Sequence, residues 1–155
     1  MFVIIINFIN NSRTAFHAVS SAADMLKKNG YESTIDNMIE YVNDIAGIRV
    51  ICSFTSDIYR IAEMIANQSG LQVLSVKDYI VSPKPSGYKS YHMLVSVPIY
   101  LSDKTVNAKV EIQIRTVAMD FWASLEHKIN YKFEGNAPQY IKEELVKCAM
   151  MVSDL

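Results

Sequence analysis

The sequence predicts an α/β (α+β) fold: a single domain in which a mixed β-sheet is flanked by helices. Three observations predict it. The chain has 155 residues, of which 50% are hydrophobic and 20% charged, enough apolar material for one core and too much for a disordered chain. Stretches with apolar residues at helical spacing interleave with stretches that alternate or run apolar throughout. One of the latter, "IAGIRVICSF" (45–54), has the near-continuous hydrophobicity of a central strand covered on both faces, so helices must lie over it.

The elements follow in order. "MFVIIINFIN" at the start is too short to span a bilayer, which takes about 20 apolar residues. It also lacks the basic segment and small-residue cleavage site of a signal peptide. It reads as a buried strand or a segment that caps a sheet edge. Val19, Ala22, Ala23 and Leu26 share one helical face, with Lys27 and Lys28 at its end and Gly30 at its left-handed cap. Ile35, Met38, Ile39 and Val42 repeat the spacing in a second short helix. After the strand at 45–54, Thr55, Ser56 or Asp57 can cap a helix whose inner face is Ile58, Ile61, Ala62 and Ile65, ended by Gly70. Residues 71–80 read as a strand, 83–87 as a loop, 89–100 and 107–116 as a hairpin turning at 102–104. The stretch 117–132 is a helix with Ala118, Phe121, Trp122 and Leu125 on one face. A last helix follows Pro138, with Ile141, Leu145, Cys148 and Val152 inward.

The formal net charge is −1, so no long-range basic field gathers DNA, and an anion site has to be local. The two cysteines, Cys52 and Cys148, sit in apolar runs and read as buried free thiols of a reducing compartment. With no membrane or targeting segment legible, a soluble, cytoplasmic protein is expected.

Candidate chemistry concentrates in four places. In "VEIQIRT", Val110, Ile112 and Ile114 point one way while Glu111, Gln113 and Arg115 point the other. That second face is either a solvated outer surface or a functional one. Asp44, just before the central strand, is either a turn residue satisfied by backbone amides or a metal ligand. With Glu111 it would suffice for Mg²⁺, which takes one or two carboxylates and completes its shell with water and phosphates. Arg49, inside an apolar strand, needs a carboxylate partner or an open cleft. In "SPKPSGYKSYH" (82–92), Pro83 and Pro85 stiffen a loop that turns at Gly87. Tyr88 offers a flat face for a base, and Lys84, Lys89 and His92 offer donors to phosphate. Alternation along the strand puts Ser90 and His92 opposite Lys89 and Tyr91, so Lys89 and His92 do not act together. A polar hairpin loop is the plain alternative.

"DIAGIRVICSF", "DYIVSPKPSGYKSYH" and "VEIQIRTVAMDFWASLEHK", in that order, resemble the synthetase domain of RelA/SpoT proteins, above all its compact form, the small alarmone synthetases. The resemblance covers residues 26–155 and leaves 1–25 as a divergent N-terminal segment of the same globular domain. It implies a nucleotidyltransferase-like sheet and a Mg²⁺-dependent GTP pyrophosphokinase. Such an enzyme moves the β,γ-pyrophosphate of ATP onto the ribose 3′-hydroxyl of GDP or GTP, giving the alarmones ppGpp and pppGpp of the stringent response. By the same resemblance Asp44 and Glu111 are the metal acids, with Glu111 also accepting the hydroxyl proton. Tyr88 stacks on guanine, Lys84 and His92 approach the guanine nucleotide's phosphates, and Arg49 lies against adenine. Lys89 and Gln113 complete the candidate binding residues. Homo-oligomers are common among small members of the family.

Two positions depart from the family pattern. Ser86 stands where an Asn helps read guanine, and a hydroxyl cannot make the amide's two-point contact. The window "AFHAVSS" (15–21) holds no Arg or Lys where the family grips the phosphates of ATP. The alternatives to the synthetase are therefore a nucleotide-binding domain of impaired turnover and a relative with another pyrophosphate acceptor.

Overall fold

The computed structural model describes residues 3–7, 23–34, 37, 41, 46–100 and 102–153. Among the described residues, five strands form one sheet. β1 (Val3–Asn7), β2 (Ala46–Cys52), β3 (Gln72–Asp78), β4 (Tyr91–Tyr100) and β5 (Thr105–Thr116) lie in the spatial order β1-β2-β5-β4-β3. β2 runs parallel to β5, and every other neighbouring pair is antiparallel, so the sheet is mixed, as expected. The opening apolar run supplies the edge strand β1. The helices are α1 (Thr55–Ala66), α2 (Val117–Lys132) and α3 (Gln139–Ser153), and residues 23–28 are also helical. That earlier helix ends as read: Gly30 has φ 80° and Tyr31 N donates to Leu26 O at 2.9 Å, a left-handed cap. The second short helix lies largely outside the described residues, of which Asn37 and Tyr41 are helical.

The sheet has two unlike faces, set by alternation. On one, Val50 and Cys52 (β2), Met93 and Val95 (β4) and Ile112 and Ile114 (β5) pack against Ile58 and Ala62 of α1. Ile58, Val95 and Ile114 are wholly buried, each worth about 1.5–3 kcal/mol. The other face carries Arg49, His92, Glu111 and Gln113, which the register aligns: Arg49 beside Gln113, Gln113 beside His92, and Gly47 beside Glu111. A second apolar cluster, of Tyr88, Trp122, Ala123, Leu145 and Ala149, joins the loop before β4 to α2 and α3.

Two local expectations change. α1 is preceded by Phe54 as its N-cap, with no side-chain hydrogen bond. The polar trio Thr55, Ser56 and Asp57 falls inside the first turn, where Asp57 faces the positive end of the helix dipole instead of capping it. In α2 the buried residues are Trp122 and Ala123, while Phe121 is 66% exposed. The helix approaches the rest of the fold along its Trp122 side, because Trp122 Nε1 donates to Leu145 O of α3 at 2.9 Å.

Candidate functional site

β5 delivers Glu111, Gln113 and Arg115 to the face opposite α1, and His92 of β4 and Ser90, just before that strand, lie beside them. Their side chains close a hydrogen-bonded ring. His92 Nδ1 lies 3.0 Å from Glu111 Oε1, and Gln113 Nε2 donates to Glu111 Oε2 at 2.9 Å. Arg115 donates through one terminal nitrogen to Gln113 Oε1 at 2.8 Å and also to the Tyr88 hydroxyl. That hydroxyl lies 3.0 Å from His92 Nε2. An arginine can only donate, so the Tyr88 oxygen accepts from Arg115 and passes its own hydrogen to His92 Nε2. The partners thereby assign the His92 proton to Nδ1, aimed at Glu111. Two donor chains thus run from one guanidinium to one carboxylate. The hydrogen bond from His92 is the largest influence on Glu111; with the Gln113 bond it outweighs partial burial and holds the carboxyl below its ordinary value.

Arg115 is the buried hub, 5% exposed. Its Nε donates to Ser90 Oγ at 3.2 Å and its NH1 reaches Asp120 Oδ1 at 3.3 Å. Asp120, in the first turn of α2, also meets Arg49 NH1 at 3.4 Å. Arg49 therefore satisfies both sequence alternatives, an ion pair and a place at a cleft. Its Nε is buried with no hydrogen-bond partner among the described residues.

A cavity of about 510 Å³ opens beside this network, lined by Arg49, Tyr88, Gln113 and Arg115 and by Ser124, His127 and Lys128 of α2. Four side chains on its walls are basic or imidazole against one acid, Glu126, and it suits an anionic ligand of nucleotide size.

The loop is built as the sequence implies, but its tyrosine is not an open shelf. Gly87 has φ 90°, and an added Cβ would come within 2.5 Å of Ala149 Cβ, so glycine is required by both backbone and neighbour. Tyr88 is only 9% exposed, packed with Trp122, Leu145 and Ala149. Lys84 Nζ lies 4.7 Å from the Tyr88 ring centroid and 5.0 Å from that of Tyr79. The expected exposed stacking face is thus absent in this arrangement: the hydroxyl's bonds to Arg115 and His92 draw the ring inward, and the lysine lies over it. Lys89 lines a separate groove against Val146 and Met150 of α3, and Ser86 a cavity against Gln139 and Lys142. Neither lines the cavity beside Glu111. Asp44 and residues 15–21 lie outside the described residues.

The structure therefore brings together Glu111, His92, Gln113, Tyr88 and Arg49. Sequence reasoning missed Asp120 and Ser90 as parts of the site, and placed Arg115 on the candidate face without giving it a role. Arg115 was within reach, since it follows Gln113 on the same alternating face. Nothing in the sequence sets Asp120 apart from other acids in the first turn of a helix.

Comparison with known proteins follows the same lines. Residues 17–136 match the family described as "Region found in RelA / SpoT proteins". GTP pyrophosphokinase YwaC of Bacillus subtilis (strain 168) is 43% identical over 143 residues, 92% of this chain and 68% of its own length. GTP pyrophosphokinase YjbM of the same organism is 40% identical over 137 residues, 88% of this chain and 65% of its own. This chain thus spans about two thirds of the length of each. The small alarmone synthetase 2 of B. subtilis superposes with a TM-score of 0.81 at 38% identity, over 96% of this chain and 73% of that one. The small alarmone synthetase 1 of B. subtilis, bound to its product pppGpp, gives 0.82 at 32% identity, over 98% and 73%.

Proposed function

This chain belongs to the RelA/SpoT family, and on that premise we propose that it is a GTP pyrophosphokinase, transferring the β,γ-pyrophosphate of ATP to the ribose 3′-hydroxyl of GDP or GTP. The observation that carries the reading is Glu111, held ionised by His92 and by Gln113, the latter on the wall of a cavity also lined by Arg49, Arg115 and Tyr88. In the reaction the 3′-oxygen attacks the β-phosphorus of ATP, its proton passes to Glu111, and AMP leaves as the bond from the β-phosphorus to the α-phosphate oxygen breaks. Such transfer needs positioning and charge neutralisation more than covalent help. Arg49 and the cavity-lining Lys128 supply charge, and Gln113 and His92 hold the base.

For Mg²⁺ the described residues offer one ionised carboxylate, Glu111, whose oxygens accept from His92 and Gln113; Asp44, which lies outside the described residues, would be the second ligand. Such an ion neutralises the phosphates of ATP and favours the ionised form of its carboxylates. The Tyr88 ring is 9% exposed, with Lys84 at 4.7 Å and the Arg115 guanidinium at 5.1 Å from its centroid, so in this reading guanine stacks on it only after Lys84 moves aside, which frees the lysine for phosphate. Those nucleotides are cytoplasmic, and among the described residues no helix is long and apolar enough to cross a membrane.

The test is incubation with radiolabelled ATP and GDP or GTP, with products separated by thin-layer chromatography. Labelled ppGpp or pppGpp, lost in Glu111→Gln, is expected. Guanine-nucleotide binding without labelled product favours the impaired domain. A labelled product that forms only with a non-guanine acceptor favours the alternative substrate.

A further inference from the structure

Arg49 and Arg115 reach for the same oxygen, Asp120 Oδ1, at 3.4 and 3.3 Å. Both distances exceed the roughly 2.7–2.9 Å of a charge-assisted hydrogen bond, as expected when two cations share one acceptor. The two arginines are otherwise unlike. Arg115 is anchored at each of its nitrogens, to Ser90, Asp120, Tyr88 and Gln113. It cannot shift without disturbing Tyr88 on one side and, through Gln113, Glu111 on the other. Both line the cavity, but the Arg49 side chain is 21% exposed against 6% for Arg115, and it pairs with Asp120. A ligand can draw Arg49 away; it cannot draw Arg115.

We propose that Asp120 is a positioning residue that couples the nucleotide engaged by Arg49 to the nucleotide engaged by Tyr88. When Arg49 turns to its ligand, Asp120 Oδ1 is left to Arg115 alone. Arg115, without shifting, then holds that oxygen undivided, and its grip on the Tyr88 hydroxyl and Gln113 is stiffened. The second nucleotide then meets a site whose ordering is already complete, and binds more tightly. Linkage makes the effect reciprocal. The inference rests on the two-nucleotide reading above and adds to it the residue through which the two sites communicate.

The experiment is calorimetric titration of GTP into the protein alone and into protein saturated with a non-hydrolysable ATP analogue, for the parent, Asp120→Asn and Asp120→Ala. In the parent the analogue should tighten GTP binding by about fivefold or more. In Asp120→Ala the ratio should fall to within about twofold of unity, and in Asp120→Asn, which keeps an oxygen acceptor but no charge, to a value between. A residue of purely structural importance would weaken each nucleotide alone and leave the ratio intact. If Asp120→Ala does not fold, the isosteric Asp120→Asn decides, and its ratio must lie below the parent's. Binding of both nucleotides to the parent with no coupling overturns this inference and leaves the functional reading standing, as does a ratio unchanged in the variants. Failure of the parent to bind either nucleotide removes the functional reading itself.

Discussion

Glu111 accepts hydrogen bonds from His92 and Gln113 in the resting site. Its replacement by Gln keeps the shape and removes the basicity. Product formation should fall by about 10²- to 10⁴-fold, with GTP affinity measured calorimetrically changing far less. The same carboxyl makes stability depend on pH. Its value in the folded protein lies below the ordinary 4.5, chiefly through His92, so its stabilising share is full above that value and disappears as pH falls through the lowered one. The urea midpoint of the parent relative to Glu111→Gln should therefore be level above the ordinary value and decline as pH falls below it. The two thiols differ as well. Burial first, and Asp57 second, push the Cys52 thiol up to about 11, and it is 1% exposed. Cys148 is only partly buried. Iodoacetamide under native conditions should label Cys148 first and Cys52 only on unfolding, read by peptide mass spectrometry.

At the level of elements, the loop before β4 takes its shape from α3. Gly87→Ala adds a methyl against Ala149 and strains a left-handed backbone, and should cost more than about 1 kcal/mol. GTP affinity should suffer with it. Ala149→Gly relieves the collision but not the strain, so the double variant should recover only part of the loss in thermal melts. Trp122 ties α2 to α3 through its ring and its bond to Leu145 O. Trp122→Ala should cost about 3–5 kcal/mol, roughly 6–20 °C in Tm for a chain of this size. Most of this scaffold was legible in the residues themselves: alternation in β5 separated Ile112 from Glu111, and the Pro-Gly cluster located the loop. The burial of Tyr88 was not. A tyrosine beside glycine and lysines reads as exposed, and only the arrival of α3 and Arg115 from elsewhere in the chain draws it inward. Phe121 fails for the same reason in reverse, since helical spacing fits several faces and the partner chooses one.

For the molecule as a whole, β5 is the structural centre, paired with β2 on one side and β4 on the other. Its amides at Ile112 and Ile114 should open only with global unfolding, while those on the free edge of β3 exchange by local fluctuation. Hydrogen–deuterium exchange read by mass spectrometry should find at least a hundredfold difference between the two. The order of strands was not legible, because spacing tells a strand from a helix but not which strand lies beside which. The interleaving of helical and strand stretches supplied the sheet type, and the ionic link through Asp120 emerged only in three dimensions.

The parallel pairing of β2 with β5 joins Ala46 to Val110 across the β3–β4 hairpin. During synthesis on the ribosome, Arg49 therefore waits for most of the polypeptide to emerge before Gln113 comes alongside. A nascent chain halted short of β5 has neither the base nor the hub arginine, so a prematurely terminated product carries no fragment of the activity.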